Sequence, residues 1–178
     1  MNGRSFSLKP FSVAGPGPEV EITGNIGRPA NTLTIRYDLR GKLGELAIPA
    51  ADLPARRHAL WEETCFELFL GVKNSPPYWE FNLSPGGPWN VYRFAGYRQG
   101  RQEEKAVAAL PFRVRRRGDS VRLTLELDLD AIVPADRALE VGIAAVLKLA
   151  RGGVSYWALT HGGPQADFHR RDGFIIQL

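Results

Sequence analysis

Glu67, Glu80, Asn82 and Asn90 are the residues whose types and spacing best suit chemistry on a polar ligand. They fall in three short segments: CFELFLG at 65–71, YWEFNLS at 78–84 and WNVYRF at 89–94. VKNSPP joins the first two and PGGP joins the last two. If each segment is a strand, alternate residues share a face. One face then carries Phe66, Leu68 and Leu70 beside Trp79, Phe81 and Leu83, and it must be core. The other carries Glu67, Tyr78, Glu80, Asn82, Asn90, Tyr92 and Phe94. Pairing Phe69 with Tyr78 sets Glu67 opposite Glu80 and Cys65 opposite Asn82. Pairing Asn82 with Asn90 and Glu80 with Tyr92 extends the same surface. A one-residue slip would push the glutamates into the core, so hydrophobicity alone assigns the faces.

Two carboxylates facing each other across a strand pair repel. A cation, an arginine or lysine, a shared proton or the hydroxyls of a ligand would offset that repulsion. Carboxylates and amides beside flat rings suit a polyhydroxylated ligand: the rings pack on its C–H face and the polar groups take its hydroxyls. The same pair is also spaced for acid–base catalysis. Facing glutamates on neighbouring strands stand roughly 5 Å apart, the separation of a retaining glycosidase. A glycoside-processing enzyme using Glu67 and Glu80 is therefore an alternative, and a protein-interaction module is another. Cys65 shares the face, but no histidine lies in these segments to activate it, so it reads as a small packed residue.

A second cluster lies near the carboxyl end. SYWALTH at 155–161 is followed by GGP and then Asp167, Phe168 and His169, with Lys148 upstream. Two histidines and an aspartate across a glycine–proline loop lack the spacing of a metal site. They read as loop-anchoring hydrogen bonders.

These residues need a scaffold, and the rest of the chain supplies it. The cleanest strand covers 121–129 (VRLTLELDL), with apolar residues at odd and charged or polar residues at even positions. Its acidic residues are a wet strand face, without the glycine of a calcium loop. Further strands are expected over 5–11, 20–26, 32–39, 46–49, 112–117, 139–149, 154–159 and 174–178, with a turn over 14–18. One short helix is expected over 54–61 (PARRHALW), with Asp52 as its cap. About ten short strands with turn signals between them imply an all-β fold: a jelly-roll-like β-sandwich of antiparallel strands with that one helix. Its 178 residues are expected to form a single domain.

Composition narrows the function classes. Hydrophobic residues are 44% and charged residues 24%, which excludes a disordered chain. No apolar stretch is long enough to span a bilayer as a helix, and no membrane partner is expected. The start of the chain lacks an apolar signal core and there is a single cysteine, so the expected location is cytoplasmic. The formal charge is +4. Its one dense cluster, RVRRR at 113–117, is not interleaved with aromatic residues, so nucleic acid is not an expected partner. No phosphate-binding glycine motif is present. The long charged loop over 95–110 is placed to fold over the polar face, or to meet a protein partner.

Several segments together resemble bacterial DOMON-like proteins: LWEETCFELF at 60–69, YWEFNLSP at 78–85, WNVY at 89–92, YR at 97–98, and SYWAL with His161 and DFH at 167–169. That group is similar to family-nine carbohydrate-binding modules and to the haem- or sugar-binding DOMON superfamily. The resemblance covers nearly the whole chain. It implies a jelly-roll β-sandwich with a ligand site on one sheet face, and binding rather than catalysis. It implies Trp61, Glu62, Glu67, Glu80 and Asn82 as site residues, and Trp157 as a second stacking tryptophan. Tyr92, Lys148 and His161 are expected at the rim. Haem-binding members use a methionine–histidine pair, and the only methionine here is Met1. The expectation is no cofactor, with haem held by His161 and His169, or calcium, as the alternatives to test. The expected partner is a small, sugar-like molecule.

Overall fold

The computed structural model describes residues 3–11 and 17–178. The strands in chain order are β1 (Arg4–Ser7), β2 (Lys9–Pro10), β3 (Val20–Gly27), β4 (Thr32–Gly41), β5 (Cys65–Val72), β6 (Tyr78–Leu83) and β7 (Trp89–Phe94). They continue with β8 (Gln102–Glu103), β9 (Phe112–Arg117), β10 (Ser120–Asp128), β11 (Leu139–Lys148), β12 (Val154–Ala158) and β13 (Ile176–Gln177). The turn expected over 14–18 lies mostly outside the described residues.

The strands form a β-sandwich of two antiparallel sheets. One has the order β1-β3-β4-β10-β9; the other runs β2-β12-β11-β5-β6-β7-β8, with β13 also paired to β11. The first strand expected from the sequence is split between them, since β1 pairs with β3 and β2 pairs with β12. The segment over 46–49 contributes only a single bridge, Leu46 to Leu149.

The core lies between the sheets and is filled by the inward row of each strand. Leu123, Leu125 and Leu127 of β10 and Ile35, Tyr37 and Leu39 of β4 meet Phe66, Leu68 and Leu70 of β5 and Phe81 and Leu83 of β6. Tyr37 also donates its hydroxyl hydrogen to the Glu67 carbonyl at 2.8 Å, tying the first sheet to the strand that carries the candidate site. Burying a phenol in an apolar core requires such an acceptor.

The helix expected over 54–61 does not form. Residues 55–57 run alongside the start of β7 instead. Trp89 N–H donates to the Ala55 carbonyl, Arg57 N–H donates to the Trp89 carbonyl, and Arg56 bridges Trp89 in parallel. Arg56 explains the preference: its guanidinium lies 4.5 Å from the Trp89 ring and donates to Asn90 Oδ1, Glu104 O and Val107 O. Asp52 caps nothing and instead pairs with Arg57 at 2.7 Å. Only a 3-10 turn, Leu60–Glu62, follows, entered through Ala59 in a left-handed conformation.

Candidate functional site

The polar face of β5, β6 and β7 is built as alternation requires, with one change of register. Glu80 pairs with Tyr92 and Asn82 with Asn90, as expected. Between β5 and β6 the pairing is Glu67 with Asn82, Phe69 with Glu80 and Gly71 with Tyr78. This is a two-residue shift from the expected register. It keeps every side chain on its face but makes the two glutamates diagonal neighbours rather than opposite ones.

That face is covered rather than open to solvent. The stretch from Asp167 to Phe174 folds across it, and Phe174 packs on Phe69 and Tyr78. The crossing needs glycine beneath it: a Cβ on Gly142 would lie 2.8 Å from the Phe174 ring, and one on Gly71 would collide with the Arg171 guanidinium. Arg171 clamps the stretch by donating to the Ser75 and Val72 carbonyls and to Glu140 Oε2. From the other side, residues 95–101 turn back tightly. Arg98 there has a left-handed backbone (φ 54°), uncommon for a residue with a side chain. Asp167 joins the two coverings by accepting from Arg98 Nη2 at 2.8 Å and from the Tyr97 hydroxyl.

Between these coverings a pocket of about 430 Å³ remains. Glu67 and Glu80 form its floor. Trp61, Phe94, Tyr156 and Phe168 form its aromatic walls, and Arg98, Arg101 and His169 its polar ones. Arg101 lies over the rings of Trp61 (5.5 Å) and Tyr92 (5.4 Å) and is free of ion pairs among the described residues.

The electrostatics follow from burial. Glu67 is 3% exposed, and among the described residues its carboxyl group has no hydrogen-bond partner. Desolvation, reinforced by Glu80, pushes its pKa well above the ordinary carboxylate range, against the opposing pull of Arg98. Burial raises Glu80 as well, while the 2.7 Å bond donated by Asn82 and the charges of Arg101 and Arg98 hold it down. The pair therefore keeps a proton at pH values where exposed glutamates are ionised. His169 behaves oppositely. Burial and the nearby Arg98 lower its pKa to about 4, against the pull of Asp167. It is neutral at pH 7, so its 3.7 Å approach to Glu80 is not an ion pair there.

Tyr78 Oη and His169 Nδ1 share one hydrogen. Tyr78 Oη accepts from Arg98 N–H at 3.2 Å and lies 2.8 Å from His169 Nδ1. Where the Tyr78 hydroxyl donates to Nδ1, the ring proton sits on Nε2, which faces Glu80 at 3.7 Å.

Of the residues expected at the site, Trp61, Glu67 and Glu80 line the pocket. Asn82 lies beneath and holds Glu80. Tyr92 stands behind the wall, edge-on to Trp61 with ring centroids 6.0 Å apart. The other four are not brought in. Glu62 is exposed outside the pocket. Lys148 reaches Glu63 at 2.6 Å instead. Trp157 faces the sandwich core, and its indole N–H donates to Ser155. His161 donates from Nε2 to the Lys9 carbonyl and packs against Phe11.

The sequence reading missed Tyr156, Arg98, Arg101, Phe168 and His169 as lining residues. Tyr156 was readable from alternation: with Trp157 and Leu159 inward, Tyr156 must point outward. Cys65 is fully buried, burial raises its thiol pKa, and its sulfur faces Asn82 and the Phe66 carbonyl. It is a packed residue. Among the described residues no group of three or more His, Cys, Asp or Glu side chains is placed to hold a metal ion. His161 contacts the Lys9 carbonyl and His169 the Tyr78 hydroxyl.

No protein-family model and no curated protein sequence matches the chain. Solved structures do. One is a Bacteroides uniformis ATCC 8492 protein to which carbohydrate binding is ascribed. Its TM-score is 0.71 at 14% identity, over 96% of this chain and 84% of that one. A family-nine carbohydrate-binding module from Caldicellulosiruptor kristjanssonii in complex with glucose matches with a TM-score of 0.51 at 9% identity, over 89% and 74%. A module of the same family and organism in complex with cellotriose matches at 0.54 and 10% identity, over 89% and 73%. The fold of this chain is therefore similar to that of family-nine carbohydrate-binding modules.

Proposed function

We propose that the chain is a binding domain for a carbohydrate or sugar derivative, held in the pocket floored by Glu67 and Glu80. One observation carries this reading. A carboxyl group that is almost wholly buried, opens into a pocket and lacks any hydrogen-bond partner among the described residues has a strong need for donors. Ligand hydroxyls supply them. With both carboxyls raised by burial, the pair can donate as well as accept, as a diol requires. Trp61 and Tyr156 offer rings for the C–H face of a pyranose, and Arg98, Arg101 and His169 Nε2 offer further donors. The family-nine modules of similar fold, solved with glucose and cellotriose, support the same ligand class. The DOMON-like resemblance supports it too.

Thermal unfolding against a panel of neutral, amino and acidic sugars tests the proposal. A ligand at about one hundred times its dissociation constant stabilises by about 2.7 kcal/mol, a rise of roughly 5–10 °C for a chain of this size. A rise that Trp61→Ala abolishes supports the pocket. A flat response to every sugar contradicts it.

A second reading, acid–base hydrolysis of a glycosidic bond, draws on the unlike surroundings of the two glutamates. Glu80 is hydrogen-bonded and lies near two arginines, whereas Glu67 is desolvated and unpartnered. Pairs so differentiated hold different protonation states. Release of the aryl group from aryl glycosides, lost in both Glu67→Gln and Glu80→Gln, would favour this reading over pure binding.

A further inference from the structure

The sheet on the far side of the sandwich carries a feature that sugar binding does not use. The outward row of β9 is Arg113, Arg115 and Arg117. Across the sheet, Arg115 stands directly opposite Arg122 of β10, which stands opposite Asp38 of β4. Ser120 lies between Arg117 and Arg40, and Thr124 between Arg113 and Arg36. Three adjacent strands thus present six arginines on a single face, against Asp38 and, further along β10, Glu126 and Asp128.

Asp38 neutralises part of this charge by pairing with Arg36 at 2.9 Å and with Arg122 at 2.5 Å. Glu21, opposite Arg40, and Glu126, further along β10, are not within ion-pair distance of any arginine among the described residues. Arg40, Arg113, Arg115 and Arg117 are likewise unpaired there, and all four are exposed. Like charges set directly opposite on a sheet, as Arg115 and Arg122 are, destabilise it. Asp38 offsets Arg36 and Arg122, but Arg40, Arg113, Arg115 and Arg117 have no ion pair among the described residues and leave an excess of positive charge that an external anion can meet.

The face also has a receptacle. A cleft of about 140 Å³ opens among Asp38, Arg40, Arg115, Arg117, Ser120 and Arg122. That is the liquid volume of about five waters, room for a pair of linked tetrahedral oxyanions. Guanidinium forks match such oxyanions in bidentate geometry. The face lacks the aromatic rings that would stack single-stranded bases. It also lacks the apolar side chains that would enter a lipid surface.

We propose that this face is a second binding site, for a small ligand bearing two or more phosphate or sulfate groups close together. The charges converge on one cleft instead of running along an extended track, which favours a compact polyanion over a nucleic-acid duplex.

Isothermal titration with inorganic phosphate, pyrophosphate, tripolyphosphate and sucrose octasulfate tests the proposal and separates phosphate from sulfate sources. The expected result is saturable binding of tripolyphosphate or the octasulfate, tighter than that of inorganic phosphate. Arg115→Ser and Arg117→Ser should each weaken it by about tenfold or more, and added salt should weaken it further. Trp61→Ala, at the pocket beside the other sheet, should leave it unchanged, so this proposal and the sugar proposal fail separately. Three results would overturn it. One is the lack of saturable binding by any of these probes. Another is binding that survives in the Arg115→Ser/Arg117→Ser double variant while its circular dichroism matches the parent. The third is binding of a DNA duplex that tripolyphosphate does not displace.

Discussion

Glu67 and Glu80 occupy diagonal positions on neighbouring strands, Glu67 opposite Asn82 and Glu80 opposite Phe69, and both carboxyl groups open into one pocket. Asn82 separates their roles. Its amide N–H donates to Glu80 and to no oxygen of Glu67. Glu80 thus has a fixed orientation, and Glu67 keeps its hydrogen-bonding capacity for whatever enters.

The free protein should be more stable without the Glu67 charge. A carboxyl group whose folded pKa is raised binds its proton more tightly in the folded state. Its contribution is complete below the ordinary glutamate value, about 4.3, and is lost as pH rises through the folded value. Glu67→Gln should therefore raise the unfolding midpoint at pH 8 more than at pH 5. Denaturant unfolding at both pH values measures this. A variant destabilised equally at both would show that Glu67 titrates normally.

His169 should work in the opposite direction. Its folded pKa, near 4, lies below the ordinary value of about 6.5. Its stabilising contribution is complete above about 6.5 and disappears as pH falls towards 4, at most about 3 kcal/mol. His169→Gln should flatten the stability profile between those values. NMR titration of the imidazole gives the pKa directly, and a normal value would refute the burial account.

Two tryptophans should respond differently to truncation. Trp157 fills the core at 5% exposure, so Trp157→Ala should cost about 3–5 kcal/mol of stability. Trp61 is partly exposed at the pocket wall, so Trp61→Ala should change stability little and weaken sugar binding by about tenfold or more. Parallel thermal unfolding and binding measurements separate the two roles. Exchanged phenotypes would mean that the wall is misassigned.

The covering stretch should depend on a single glycine. Gly142→Val places a side chain where the Phe174 ring lies, 2.8 Å from the Cβ position. Phe174 must move, and His169 with it. Hydrogen exchange at residues 167–174 should quicken while the protection of β4 and β10 persists. Unchanged exchange would show that the stretch tolerates the added bulk.

The faces of this fold were legible in the sequence, and much of the site was not. Period-two alternation gave the inward and outward rows of β5, β6, β7 and β10, since one face of each strand had to be apolar. The β5–β6 register was two residues off because a two-residue slip preserves both faces. The turn decides it, and six residues separate the Gly71–Tyr78 pair, with Asn74 left-handed. The helix over 54–61 was misread because local propensity is overridden by Arg56, whose partners lie 34 to 51 residues away. Arg98, Arg101 and His169 reach the glutamates through loops that cross the sheet. No periodicity encodes that crossing. The resemblance implies Trp157 as a stacking residue, although the inward phase of β12 assigns it to the core.

The most direct measurement of the central claim is an amide and indole NMR titration with glucose, cello-oligosaccharides and the sugars that raise the unfolding midpoint. The account predicts perturbations concentrated at the Trp61 indole and at Glu67, Glu80, Tyr156, Phe168 and His169, with the Trp157 indole unmoved. Saturating shifts confined to other surfaces, or no shifts with any sugar at millimolar concentration, would contradict it.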